Sequence, residues 1–137
     1  MGALRFCGAP CNEVKGLCNM SEDVKSFIRA NWGKCVKHNQ KSDGTFIGMP
    51  YPYTVPAVGC FDEMYYWDTY FTNIGLMICG NYELAKNNVD NMFYLIDKYG
   101  FMPNGNRTYY LKNSQPPFLS CMVRDLYNHY KDRVWLS

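Results

Sequence analysis

The sequence predicts an all-α fold of about four helices joined by long, aromatic-rich loops. Three observations carry this reading. Apolar residues recur at helical spacing in three stretches and cover most of the circumference of a fourth. Each stretch is opened or closed by a residue suited to a helix end. The Gly- and Pro-containing stretches between them, 39–59 and 101–115, are too broken for regular structure. With 137 residues, 47% of them hydrophobic and 19% charged, the chain has the size and composition of one packed domain rather than of a disordered segment.

Residues 1–20 show no periodicity and read as an irregular, Cys-containing arm, with the helical domain over 21–137. Ser21 suits an N-cap, and Glu22 and Asp23 place carboxylates in the first turn, where the helix dipole favours them. Val24, Phe27, Ile28 and Trp32 then keep an i, i+3, i+4 rhythm, so a helix is predicted over 22–36. The following 39–59 stretch is predicted to be an ordered loop, because Phe46, Ile47, Tyr51, Tyr53 and Val55 need burial.

A second helix is predicted over 62–79, Pro-free and apolar on most sides, hence buried on more than one. Gly80 ends it and Asn81 can cap the third, over 82–99, whose Leu84, Met92, Leu95, Ile96 and Tyr99 share a side before Gly100. Asn87, Asn88, Asp90 and Asn91 are poor interior helix formers, so specific partners are expected for some of them. Pro116 and Pro117 suit the first turn of a last helix over 116–131, carrying Phe118, Leu119, Met122, Leu126 and Tyr130.

Several functions are disfavoured by composition. Net charge is +2 with no long like-charge run, so no nucleic-acid partner is expected. The longest uncharged stretch, 44–61, holds three prolines, and no membrane span is expected. Residues 1–13 lack an apolar leader, which gives a cytoplasmic expectation. Seven cysteines cannot pair completely, and Cys7, Cys11 and Cys18 lack the spacing of a zinc site. Reduced thiols, no metal and no cofactor are therefore expected.

Long loops in a small domain are usually functional, which directs attention to 39–61 and 101–117. Aromatics make up 17% of the chain, 12 of them Tyr, and a ring with a polar tip suits a partly wet pocket. Trp67 and Asp68 are adjacent. A ring face can stack on the C–H face of a sugar while a carboxylate accepts its hydroxyls, although a core helix with a satisfied Asp68 reads equally well. On a helix over 62–79, Asp62 and Asp68 would diverge by about 240° and Glu63 and Asp68 by about 140°, so one carboxylate, not an acid–base pair, would face a ligand. The amide-rich PNGNR and NSQPP segments suit a neutral polyhydroxyl ligand, with Asn104 and Asn106 equally readable as turn residues. Arg107 and Lys112 leave an anion as an option, and His38 and His129 have no nucleophile motif beside them.

Taken together, VPAVGCFDEMYYWDTYF, KNNVDNMFYLIDKYGFMPNGNRTYYL and NSQPPF resemble the trehalase family of glycoside hydrolases, in order and at natural spacing over roughly 31–127. The resemblance implies part of an (α/α)6 toroid with a sugar pocket lined by the connecting loops. It implies sugar contacts at Phe61, Trp67, Asp68, Asn104, Ser114 and Gln115, and a small α-glucoside such as trehalose as partner. Cys60 and Asn113 stand where the family has arginines, so a related α-glucoside is the alternative substrate. The family's acid (Asp) and base (Glu) follow SQPP at a distance, so this chain would hold no catalytic residue and would be inactive alone, a domain truncated at its C-terminus. A sugar-binding or interaction module without catalysis is the alternative. Apolar helix faces left without neighbours would favour self-association.

Overall fold

The structure, a computed structural model, describes residues 21–137. The element order is α1 (Glu22–Asn31), a 3-10 turn (Trp32–Cys35), β1 (Val36–Lys37), β2 (Tyr53–Thr54), α2 (Tyr66–Ile78), α3 (Tyr82–Tyr99), a 3-10 turn (Thr108–Tyr110) and α4 (Leu119–Tyr130). The arm with Cys7, Cys11 and Cys18 lies outside the described residues.

The Ser21 hydroxyl accepts the Val24 N–H at 3.4 Å and opens α1 as expected. The helix gives way to a 3-10 turn from Trp32 instead of running to residue 36. Its apolar rhythm is present but little lies beneath it: α1 buries no residue, and Phe27 is 68% exposed.

Helix α3 is the centre of the packing, against α2, α4 and β2. Ala85, Val89, Met92 and Leu95 form its fully buried stripe, meeting Leu76 of α2 and Met122 and Leu126 of α4 in one cluster. The 39–59 stretch adds Ile47, Met49, Tyr53 and Val55 to this core, whereas Tyr51 stays on the surface. Its β2 pairs antiparallel with β1, Val36 opposite Thr54, a pairing that periodicity did not reveal because two-residue strands carry no pattern.

The buried asparagines of α3 explain how that stretch is held. The Asn88 side chain accepts the Thr54 N–H at 3.0 Å and donates to Thr54 Oγ1 and Asn73 Oδ1 at 2.9 and 2.8 Å. One turn on, Asn91 accepts the Tyr51 N–H and donates to its carbonyl, both at 3.0 Å. An extended segment laid across a helix keeps free backbone groups, and these amides supply partners for them. Asp90 pairs with Lys86 and accepts the Trp135 indole N–H at 2.7 Å. The Asn81 side chain, by contrast, does not cap α3. Gly100 closes the helix with φ of 81°, a left-handed conformation that favours glycine.

Two helix starts differ from expectation. Helix α2 begins at Tyr66, not residue 62, and α4 at Leu119, not residue 116. Residues 61–65 are not helical, and the 104–106 loop binds them edge-on: Asn106 Oδ1 accepts the Met64 N–H at 2.8 Å, and the Asn106 N–H donates to the Met64 carbonyl at 3.3 Å. Gly105 suits this close approach, since a Cβ would lie 3.0 Å from the Met64 carbonyl oxygen, tighter than most such contacts. Helix α2 is also less enclosed than expected, with Trp67 41% and Phe71 56% exposed. Among the described residues no helix is long and apolar enough to cross a membrane.

Candidate functional site

The first turn of α2 gathers most of the residues singled out from the sequence. Trp67 and Asp68 lie in that turn, the ring half-exposed and the carboxylate half-buried. Gln115 arrives from the other side of the sequence: its Oε1 accepts the Trp67 N–H at 2.9 Å. Asn104 is tied in by its backbone, its carbonyl accepting the Tyr66 N–H at 3.1 Å and its N–H donating to the Asn113 carbonyl at 2.9 Å. The Ser114 hydroxyl donates to the Met102 carbonyl at 2.7 Å. Phe61, 53% exposed, stands further out and meets the edge of the Tyr65 ring at 6.0 Å. Four of the six residues thus meet at one helix end, Ser114 stands next to Gln115 in the chain, and Phe61 is joined through one intervening ring.

The expected role of Gln115 is modified by this geometry. Its carbonyl oxygen caps α2, not the helix that follows it in sequence, which leaves its NH2 and the second lone pair of that oxygen to meet a ligand. Ser114 has committed its proton and can still accept. Among the described residues, the Asp68 carboxylate makes no hydrogen bond or ion pair. A carboxylate in the first turn of a helix is favoured by its dipole. Acceptors from Asp68 and donors from the two amides, beside an exposed indole, match hydroxyl groups, which both donate and accept.

The other two carboxylates of the motif are engaged elsewhere. Asp62 and Glu63 are not helical, so the angular argument does not apply to them, but neither is available. Glu63 is buried, and its Oε1 accepts from Arg107 Nε and Nη2 at 2.8 and 2.7 Å. Arg107 also lies over the Phe46 ring, with its charge already paired with Glu63. The Tyr65 hydroxyl donates to Glu63 Oε2 at 3.2 Å, so in its 3.1 Å contact with Tyr110 the proton comes from Tyr110. Burial, then the Tyr110 hydroxyl and the Glu63 charge, push the Tyr65 phenol well above its usual range. Asp62 accepts the Gly59 N–H at 3.1 Å and meets Lys37 at 3.0 Å, and these hold its carboxyl below the usual range.

Sequence reading missed three features here: the Glu63–Arg107 pair, the burial of Asn106, and the Tyr66 hydroxyl, which accepts the Leu119 N–H at 3.2 Å. All join positions more than forty residues apart, beyond any local pattern. Both histidines are exposed, and His129 stacks on Tyr82. An open groove of about 530 Å³ runs past Arg107, lined also by His38, Lys41, Asp43 and Phe46, and includes none of the six residues.

Comparison with known proteins agrees with the family resemblance. A family model described as trehalase matches residues 12–136. A periplasmic trehalase of Xanthomonas campestris pv. campestris is 49% identical over 102 residues, covering 73% of this chain and 18% of the relative. A periplasmic trehalase of Escherichia coli O1:K1 is 44% identical over 113 residues, covering 81% and 20%. Among solved structures, neutral trehalase Nth1 from Saccharomyces cerevisiae matches with a TM-score of 0.57 and 39% identity over 61% of this chain and 15% of that one. The all-α arrangement is therefore part of an α/α toroid, and the chain spans about a fifth of the length of the curated relatives it matches. The cytoplasmic expectation is corrected by these names. The bacterial relatives are periplasmic, so the composition of residues 1–13 does not make this protein cytoplasmic.

Proposed function

The chain belongs to the trehalase family of glycoside hydrolases, and on that premise we propose that it forms one wall of a pocket for trehalose or a related α-glucoside. The observation that carries the proposal is the meeting of Trp67, Asp68, Asn104 and Gln115 at the first turn of α2, with Ser114 beside Gln115 in the chain. In this reading the indole and the Phe61 ring stack on the sugar, Asp68 accepts from two hydroxyls, and the Asn104 and Gln115 amides donate. An aromatic platform with a few placed polar groups is how small neutral ligands are oriented.

Hydrolysis with inversion needs an acid on the glycosidic oxygen and a base on a water at the opposite face. Asp68 is the one carboxylate that this end of α2 offers, while Glu63 and Asp62 are held by Arg107 and Lys37. In this reading the chain supplies binding groups and neither proton-transfer group, and alone it turns over no substrate. The periplasmic location of the bacterial relatives is carried over as part of the same reading.

Titration of the isotope-labelled chain with trehalose tests the binding role. Amide shifts concentrated at residues 67, 68, 104, 114 and 115, abolished by Asp68→Asn, are expected, with no glucose released. Shifts scattered over the surface, or glucose release by the purified chain, would overturn it.

A further inference from the structure

Tyr66 precedes Trp67 and has no place among the sugar-facing residues. It is 5% exposed, yet its hydroxyl reaches the first residue of α4 and accepts the Leu119 N–H at 3.2 Å. The first N–H groups of a helix have no partner inside it and are ordinarily satisfied by the residue just before the helix. Here neither N-cap position does so: Tyr65 and Phe118 make no side-chain cap. Instead Gln115, on the connection into α4, caps α2 through the Trp67 N–H, while Tyr66, on α2, caps α4. The caps are exchanged between the two helices. Between the same two elements, Tyr70 of α2 stacks flat on Phe118 with centroids 4.6 Å apart.

A cap taken from the helix's own approach says nothing about its neighbour. Exchanged caps are different, because the Tyr66 bond forms only at one offset between α2 and α4, and the Gln115 bond ties the segment entering α4 to the same turn of α2. A slip of one residue moves a helix by about 1.5 Å, more than either hydrogen bond tolerates. That offset sets where Trp67 and Asp68 stand relative to Ser114 and Gln115, and a binding constellation must be held to about 0.5 Å.

We infer that Tyr66 is a positioning residue, locking α2 and α4 in register together with Gln115 and so fixing the geometry of the pocket wall. This rests on the reading of that wall as sugar-binding.

Tyr66→Phe removes the hydroxyl and keeps the ring. In the 137-residue chain, amide exchange at Leu119 is expected to rise about tenfold, and that at Trp67 about fivefold although its own acceptor is untouched. Trehalose affinity is expected to fall about five- to tenfold. Gln115→Met should in turn speed exchange at Leu119, whereas Gln115→Glu, which keeps an oxygen on the Trp67 N–H, should not; if Tyr66→Phe does not fold, this pair decides the matter. Exchange at Trp67 unchanged in Tyr66→Phe, or at Leu119 unchanged in Gln115→Met, overturns the lock. Unchanged affinity in Tyr66→Phe overturns its role in the pocket. If the wild-type chain shows no response to trehalose, the sugar reading fails, and the exchange data still decide whether the helices are locked.

Discussion

The side-chain carbonyl of Asn106 accepts the backbone N–H of Met64 at 2.8 Å, across forty-two positions of sequence. Asn106 is fully buried, and its own carbonyl accepts the Ile47 N–H at 2.9 Å. One residue therefore holds two non-helical segments, 61–65 and the approach to β2, against the 104–106 loop. The aromatic motif begins in the first of these and turns helical only at Tyr66. Asn106→Ala would leave the Met64 N–H buried without a partner, and a loss of about 1–3 kcal/mol is expected. Urea unfolding measures it, and a loss below about 0.5 kcal/mol would show that the loop is held by other contacts.

Acid should loosen the turn that carries Phe61. The Gly59 N–H, and after it Lys37, hold the Asp62 carboxyl below the usual carboxylate range. A depressed folded-state pKa contributes stability that is present above the unfolded value and lost as pH falls through the folded one. The Gly59 amide resonance is thus expected to stay constant from neutral pH through the ordinary carboxylate range and to move only below it. Asp62→Asn should abolish that movement. A Gly59 resonance that titrates at the usual carboxylate pH would contradict the assignment.

Much of the helical framework was legible in the sequence, because it depends on local signals. Ser21 caps α1, and α3 occupies 82–99 with Gly100 closing it, as propensity and spacing dictate. The errors fall where a distant group decides the backbone. Pro116 and Pro117 suit a helical first turn, yet α4 starts at Leu119, where the Tyr66 hydroxyl supplies the cap. Asp62 and Glu63 looked helical because no local pattern discloses Asn106 or Arg107. The asparagines of α3 stand between these cases. Their poor helix propensity signalled specific partners, and Asn88 and Asn91 have them, but nothing local showed that the partners would be Thr54 and Tyr51. For the candidate site, residue identities came from chemistry and resemblance, and their convergence from tertiary bonds.

Exposed apolar side chains should make the chain associate with itself. Phe27 is 68% exposed, Phe71 56% and Val134 83%, and the chain spans about a fifth of relatives whose remaining length is available to cover such faces. Sedimentation velocity is expected to show mass rising with concentration, reduced in Phe27→Ser and Phe71→Ser. A monomer at every concentration tested would mean that these side chains are too dispersed to form a patch.

Restoring the family's arginines should sharpen discrimination between disaccharides. Cys60 is exposed beside Phe61, and Asn113 is exposed where its carbonyl receives the Asn104 N–H at 2.9 Å, so each position borders the proposed sugar wall without being needed for packing. A guanidinium offers several donors in a rigid fork, which a thiol or a short amide does not reproduce. Each new pair of hydrogen bonds to a neutral hydroxyl is worth about 1 kcal/mol, close to fivefold in affinity. Cys60→Arg and Asn113→Arg are each expected to tighten trehalose binding by about that factor, and maltose binding by less, because a rigid fork matches one arrangement of hydroxyls better than another. Calorimetry with both sugars separates the outcomes. Equal gains for the two would mean that the arginines grip the shared glucose ring, placing specificity for the linkage on residues outside this chain.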